Sequence, residues 1–115
     1  MKADVTVKEN YEFRRIYRRG KTAVSPTLVL YCQKNRRGLT RLGITVSTKL
    51  GGAVTRNRIR RRLREIWRLN RAALQPGWDI ILVARGRSVR ADYRRLNGDY
   101  LRLLKAVGIR REDAE

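Results

Sequence analysis

The stretch Thr55–Arg71, TRNRIRRRLREIWRLNR, holds eight arginines and one glutamate. At about 100° per residue on a helix, Ile59, Leu63, Ile66 and Trp67 share one arc. Asn57, Arg61, Arg64 and Arg68 fall on the opposite side, with Arg60 and Arg71 at its edge. The segment therefore predicts an amphipathic helix with a core-facing apolar stripe and an outer band of guanidinium groups. A solvated outer face ordinarily mixes signs, because like charges at i,i+4 cost about 0.2–0.5 kcal/mol per pair. Only Glu65 interrupts this one. A face that accepts such repulsion is explained by a ligand that removes it, and that ligand is a polyanion.

The rest of the chain has the same bias. Its 115 residues carry 29 Lys plus Arg against 10 Asp plus Glu, a net charge of +19, and 23 of the cations are arginine. Self-repulsion on this scale works against compactness unless an anion relieves it. Yet 42% of the residues are hydrophobic, too many for a disordered basic tail. The length suits one domain, 1–115, with its core over about 7–107 and a flexible tail over 109–115. Guanidinium grips phosphate oxygens in bidentate fashion and stacks on bases, so the arginine excess favours nucleic acid. A membrane-surface helix would carry lysine and large apolar residues at its edges.

Several chemistries are excluded. There is no histidine, which removes imidazole acid–base catalysis and imidazole metal ligands. Cys32 is the only cysteine and lies in an apolar run, so it reads as a core residue. Asp92 and Asp99 stand seven apart among arginines and read as solvated charges. No run reaches the roughly 18 apolar residues that span a bilayer. The opening MKADVTVKEN has no signal-type apolar stretch, so the expected location is the cytoplasm.

Along the chain, Val7–Arg19 predicts a short helix, with Phe13, Ile16 and Tyr17 on one stripe. Thr6 with Glu9 resembles a capping box, Asn10 serves equally as an N-cap, and Gly20 suits a C-terminal stop. Thr27–Gln33 predicts a strand, Leu42–Ser47 a second one antiparallel to it, and Thr22–Val24 a shorter one ahead of both. The arginine helix is expected over Val54–Leu74, ending at Pro76-Gly77. Trp78–Ala84, the most apolar run, predicts a central strand. Arg85–Arg87 is a polar connection, and Arg90–Val107 a last amphipathic helix stopped by Gly108. The order α-β-β(-β)-α-β-α predicts an α+β sandwich, a small mixed sheet of three or four strands packed with helices.

A second constellation is aromatic. Phe13 and Tyr17 lie one turn apart, flanked by Arg14, Arg15, Arg18 and Arg19. If the first helix packs across the sheet, Val29 and Tyr31 face the same cleft. Aromatic rings beside cations make a platform for unpaired bases, worth roughly 1–3 kcal/mol per stacked base. The same residues are equally the stuff of a small core.

The run Lys49-Leu50-Gly51-Gly52-Ala53-Val54-Thr55 followed by Arg56-Asn57-Arg58-Ile59-Arg60-Arg61 resembles the signature of the protein subunit of bacterial ribonuclease P. Asn10, Phe13, Ile16, Tyr17 and Gly20 fit that family's early pattern. Gly43-Ile44-Thr45-Val46-Ser47, Ala84-Arg85, Tyr93 and Leu96 fit later landmarks. Arginine stands where many relatives have lysine, and Trp67 where a smaller residue is usual.

The resemblance implies a sandwich like that of a ribosomal-protein domain, with a left-handed β-α-β crossover that general chain geometry would not suggest. It implies a monomeric protein bound 1:1 to a catalytic ribonuclease P RNA. That RNA removes the 5′ leader of precursor tRNA with Mg²⁺ held mainly by the RNA, and the protein supplies no catalytic side chain and no metal site. Arg56, Asn57, Arg58, Arg60, Arg61, Arg64 and Arg68 would face RNA. Phe13, Tyr17, Val29 and Tyr31 would line a leader cleft with Lys49 at its edge. Neither a membrane nor a small-molecule substrate is expected. The alternative is a ribosomal-type RNA-binding protein without a processing role, and a protein-only nuclease is a third reading.

Overall fold

A computed structural model describes residues 6–111. Six apolar residues, interrupted only by Asp79, make Trp78–Ala84 a strand buried on both faces, and it takes the centre of the sheet as β4. The other strands are β1 (Lys21–Val24), β2 (Leu28–Lys34) and β3 (Arg41–Thr45). Their spatial order is β1-β2-β4-β3. β1 pairs with β2 and β2 with β4, both antiparallel, while β3 and β4 pair in parallel. The strand over 41–45 thus runs opposite to β2, as expected, but is not its neighbour, because β4 sits between them.

The three helices are α1 (Asn10–Arg19), α2 (Ala53–Asn70) and α3 (Tyr93–Val107). α2 crosses from β3 to β4 over one face of the sheet and shares that face with α3. Leu28, Leu30, Cys32, Leu42, Ile80 and Leu82 meet Ile59, Leu63, Ile66 and Trp67 of α2 and Leu96, Tyr100 and Leu104 of α3 in the main core. Cys32 is fully buried there, and burial pushes its thiol up to about 11. α1 covers part of the other face, where Ile16 packs with Val7 and Ile81.

Several local expectations are corrected. Val7 does not begin a helix: it lies ahead of α1, is buried, and donates its N–H to Leu42 O at 3.0 Å, while Thr6 bridges to Leu42 in parallel. α1 starts after Glu9, whose N–H donates to Glu12 Oε1 at 3.4 Å, so neither Thr6 nor Asn10 is the cap. Gly20 ends α1 with extended, not left-handed, backbone. Glycine is needed because a Cβ would stand 2.6 Å from both Ile16 O and Cys32 O. α2 stops at Asn70 and gives way to a 3-10 turn, Arg71–Ala73. α3 begins after Asp92, which caps it by accepting the Arg95 N–H at 2.8 Å.

The expected loose tail is held at its start. Ile109 is fully buried, Gln75 N–H donates to its carbonyl at 2.9 Å, and Arg111 N–H reaches Ala73 O at 2.7 Å. Residues 112–115 lie outside the described residues. Asp99 is not solvated either. It is fully buried and accepts from Thr27 Oγ1 at 2.6 Å, with Arg95 and Arg102 from its own helix. Burial alone would raise its pKa, but these donors hold it below the usual value.

Candidate nucleic-acid interface

The outer band of α2 forms as its periodicity requires. Asn57, Arg61, Arg64 and Arg68 are exposed, and Ile59, Leu63, Ile66 and Trp67 are buried beneath them. Arg61 and Arg64 make no hydrogen bond or ion pair with any described residue. Arg68 differs, since its Nη2 lies 2.7 Å from Glu65 Oε2. Arg60 Nη1 donates to Asn57 Oδ1 at 3.3 Å, so the single amide of the band orients one of its arginines. Arg71 stacks on the Trp67 ring, its guanidinium carbon 4.8 Å from the centroid.

Two arginines of the motif are tied to the protein itself. Arg56 Nε donates to Gly51 O at 3.1 Å, fastening the turn before the helix. Arg58 is half-buried and donates from Nη2 to Val89 O at 2.9 Å. It therefore faces the segment between β4 and α3 and not the outer band.

The aromatic constellation assembles on the opposite face of the sheet. α1 packs over β2 and β4, and its side chains reach β3: Glu12 meets Arg41, Phe13 lies against Gly43, and Tyr17 shares a 3.0 Å hydrogen bond with Thr45 Oγ1. The Tyr17 and Tyr31 rings meet edge to face at 4.8 Å between centroids, and Phe13 and Tyr17 lie 6.3 Å apart. The stripe divides its labour: Ile16 is buried core, Phe13 is half-buried, and Tyr17 is exposed. Beyond Tyr17 the face stays partly open at Val29, Tyr31 and Val83. Lys49 is exposed on the 3-10 turn Thr48–Leu50 that leads from β3 toward α2.

Phe13 also joins the two constellations. It borders a hollow of about 320 Å³ shared with Arg14, Tyr17 and Thr45. It borders a second, of about 400 Å³, that runs past Gly43 and Ile44 to Arg60, Arg64 and Arg68. Aromatic face and arginine ridge are one continuous surface around the edge of β3. The sequence gives no sign of this, because it depends on β3 lying at the sheet edge.

A buried ionic network fixes that geometry. Arg41 is buried and forks onto Asp79, Nε to Oδ1 and Nη2 to Oδ2, both at 2.9 Å, and its Nη2 also donates to Glu12 Oε2 at 2.9 Å. Asn35 Nδ2 adds a 2.7 Å bond to Asp79 Oδ1. Burial would raise the Glu12 pKa, but the Arg41 guanidinium together with backbone hydrogen bonds from Glu9 and Lys8 holds the carboxyl below its ordinary value. The two carboxylates hold Arg41 protonated, their hydrogen bonds led by that of Asp79. None of these three residues stands out in a chain so rich in charge. The available signal is Asp79, a lone carboxylate inside the run WDIILVA, which must find a partner if it is buried.

Arginine crest, aromatic groove and α+β sandwich together define a small, strongly cationic α+β domain with an open groove. The Ribonuclease P family profile matches residues 1–108. The ribonuclease P protein component of Natranaerobius thermophilus is 42% identical over 101 residues, covering 88% of each chain. That of Clostridium botulinum strain Loch Maree is 43% identical, covering 90% of this chain and 94% of its own. Among solved structures, the RNase P protein of Staphylococcus aureus superposes with a TM-score of 0.84 at 31% identity, covering 93% of this chain and 98% of that one. The Thermotoga maritima RNase P protein gives 0.81 at 31%, covering 89% and 96%. The chain belongs to the ribonuclease P protein family.

Proposed function

We propose that this chain binds ribonuclease P RNA through the α2 crest and holds the 5′ leader of precursor tRNA against the aromatic face of the sheet. The carrying observation is the continuity of the two surfaces through Phe13. An unpaired strand lying on Phe13, Tyr17 and Tyr31 passes directly to Arg60 and Arg64, where phosphates of a structured RNA are neutralised. Arg61 and Arg64, without partners of their own, are the main phosphate contacts. Arg60, oriented by Asn57, stands between crest and groove. Arg68 contributes less because Glu65 already pairs with it. Lys49 adds charge on the turn that precedes α2.

The protein positions and the RNA cuts. Among the described residues no three of Cys, Asp and Glu gather where a metal could sit. Glu12 and Asp79, which share a neighbourhood, are both taken by Arg41. In this reading Mg²⁺ is held mainly by the RNA, and no step of the cleavage runs through a side chain. Lowering phosphate–phosphate repulsion and fixing the leader are contributions of charge and orientation. The protein acts as a 1:1 monomeric partner of the RNA in the cytoplasm. No helix of the described residues is long and apolar enough to cross a membrane.

Reconstitution tests this. Protein, bacterial ribonuclease P RNA and precursor tRNA are mixed at low Mg²⁺, and cleavage is expected to outpace that by RNA alone. An unchanged rate overturns the proposal in favour of an RNA-binding module without a processing role. Cleavage without added RNA would make the protein itself the nuclease.

A further inference from the structure

The connection between β4 and α3 carries a second group of arginines that the crest and the leader groove leave unused. Arg87, Arg90 and Arg94 are exposed and have no hydrogen bond or ion pair among the described residues. Arg95 is shared with the buried Asp99, and the Asp92 carboxylate caps α3. Arg87, Arg90 and Arg95 rim a hollow of about 450 Å³ floored by Pro26, Val89 and Ala91.

This connection is anchored to α2. Arg58 Nη2 donates to Val89 O at 2.9 Å and Arg62 Nη1 to Ala91 O at 3.1 Å. Ser88, buried, closes the 3-10 turn Gly86–Val89 through a 2.6 Å bond from its Oγ to Arg85 O. The free guanidiniums on either side of these anchors are thus presented on an ordered backbone, which limits the entropy lost on binding. Arg58 and Arg62 leave α2 on the flank away from Arg60 and Arg71, hence away from the Phe13 groove. The charge therefore continues from the crest across the helix to the side that the leader does not occupy.

We propose that Arg87 and Arg90 form a second phosphate-binding surface, which contacts the same structured RNA that covers the α2 crest, with Arg58 and Arg62 as positioning residues. The inference rests on the RNA-binding reading of the crest. Guanidiniums around a shallow apolar floor fit a nucleotide whose phosphates lie on the rim and whose base or ribose faces the hollow.

Titrations of bacterial ribonuclease P RNA against rising salt test it, with the wild type, Arg87→Ala/Arg90→Ala and Arg61→Ala/Arg64→Ala run side by side. The connection variant is expected to lower the slope of log K against log salt by about 0.7–0.9 per lost contact. It should also keep the wild-type preference for leader-bearing over mature tRNA. Arg87→Lys/Arg90→Lys should restore most of the slope, since charge carries that term. A wild-type slope in the alanine variant, or a loss confined to leader-bearing substrate, overturns the inference. A wild-type slope in Arg61→Ala/Arg64→Ala instead overturns the crest reading on which it rests, so the two failures are distinguished.

Discussion

Gly43 lies directly against the ring of Phe13: a Cβ added at 43 would stand 2.8 Å from Phe13 Cζ and 2.9 Å from Cε1. The contact seats the ring between the two hollows. Gly43→Ala must push the ring aside, since Val7 Cβ at 3.3 Å closes another way out. Binding of leader-bearing tRNA should fall, with mature tRNA affected less, and Phe13→Ala should show the same selectivity. Loss of one stacked base costs roughly 1–3 kcal/mol, about 5-fold to 150-fold in affinity. Equal losses on both substrates would place the leader elsewhere.

Glu65 separates the arginines of the crest into two kinds. Arg61 and Arg64 are bare, while Arg68 already has a carboxylate at 2.7 Å. Removing a bare arginine should reduce the salt slope of RNA binding by about 0.7–0.9 per phosphate contact. Arg68→Ala should reduce it less, because RNA must first displace Glu65. Glu65→Gln should steepen the slope by freeing Arg68. Salt titrations of these single variants check the ranking, and a larger effect at 68 than at 61 would contradict it.

How far this surface could be read beforehand depended on whether a residue's role was local. The α2 band is local: spacing alone put Asn57, Arg61, Arg64 and Arg68 outside and Ile59, Leu63, Ile66 and Trp67 inside, and both sets stand there. β4 was legible because a short run, apolar but for Asp79 and preceded by Pro76-Gly77, suits a strand buried on both faces. The pairing of β3 with β4 was not, since an intervening helix hides which strands meet. The role of Arg58 turned on a carbonyl 31 residues away, at Val89. Asp99 escaped because arginines stand three and four positions from it in sequence, while its interior partner, Thr27, is 72 positions away.

Thr27→Val tests that interior group. It keeps the shape and removes the 2.6 Å donor to Asp99, leaving one carboxylate oxygen of a fully buried side chain to Arg95 alone. The cost should be about 1–3 kcal/mol of unfolding free energy, measured by urea titration. Asp99→Asn in the same background should recover part of it, because a neutral amide needs less compensation. No loss in Thr27→Val would mean that the two arginines suffice.

Arg41 ties α1 to β3 and β4, and its removal should loosen the groove from below. Arg41→Met leaves the buried Asp79 without its cation and Glu12 with only the more distant, exposed Arg37 at 3.4 Å, a change of the kind that costs about 3–5 kcal/mol when a buried pair loses one partner. The pH dependence has a definite sign. The folded-state pKa of Glu12 lies below its unfolded value of 4.5, so its contribution is full above that pH and lost as pH falls through the folded pKa. Thermal unfolding midpoints of the wild type should therefore drop on acidification below about 4.5. In Glu12→Gln the neutral amide keeps the shape and still accepts from Arg41, so the wild-type and variant midpoints should converge at the acid end. Parallel curves would show that Glu12 is not the group that titrates.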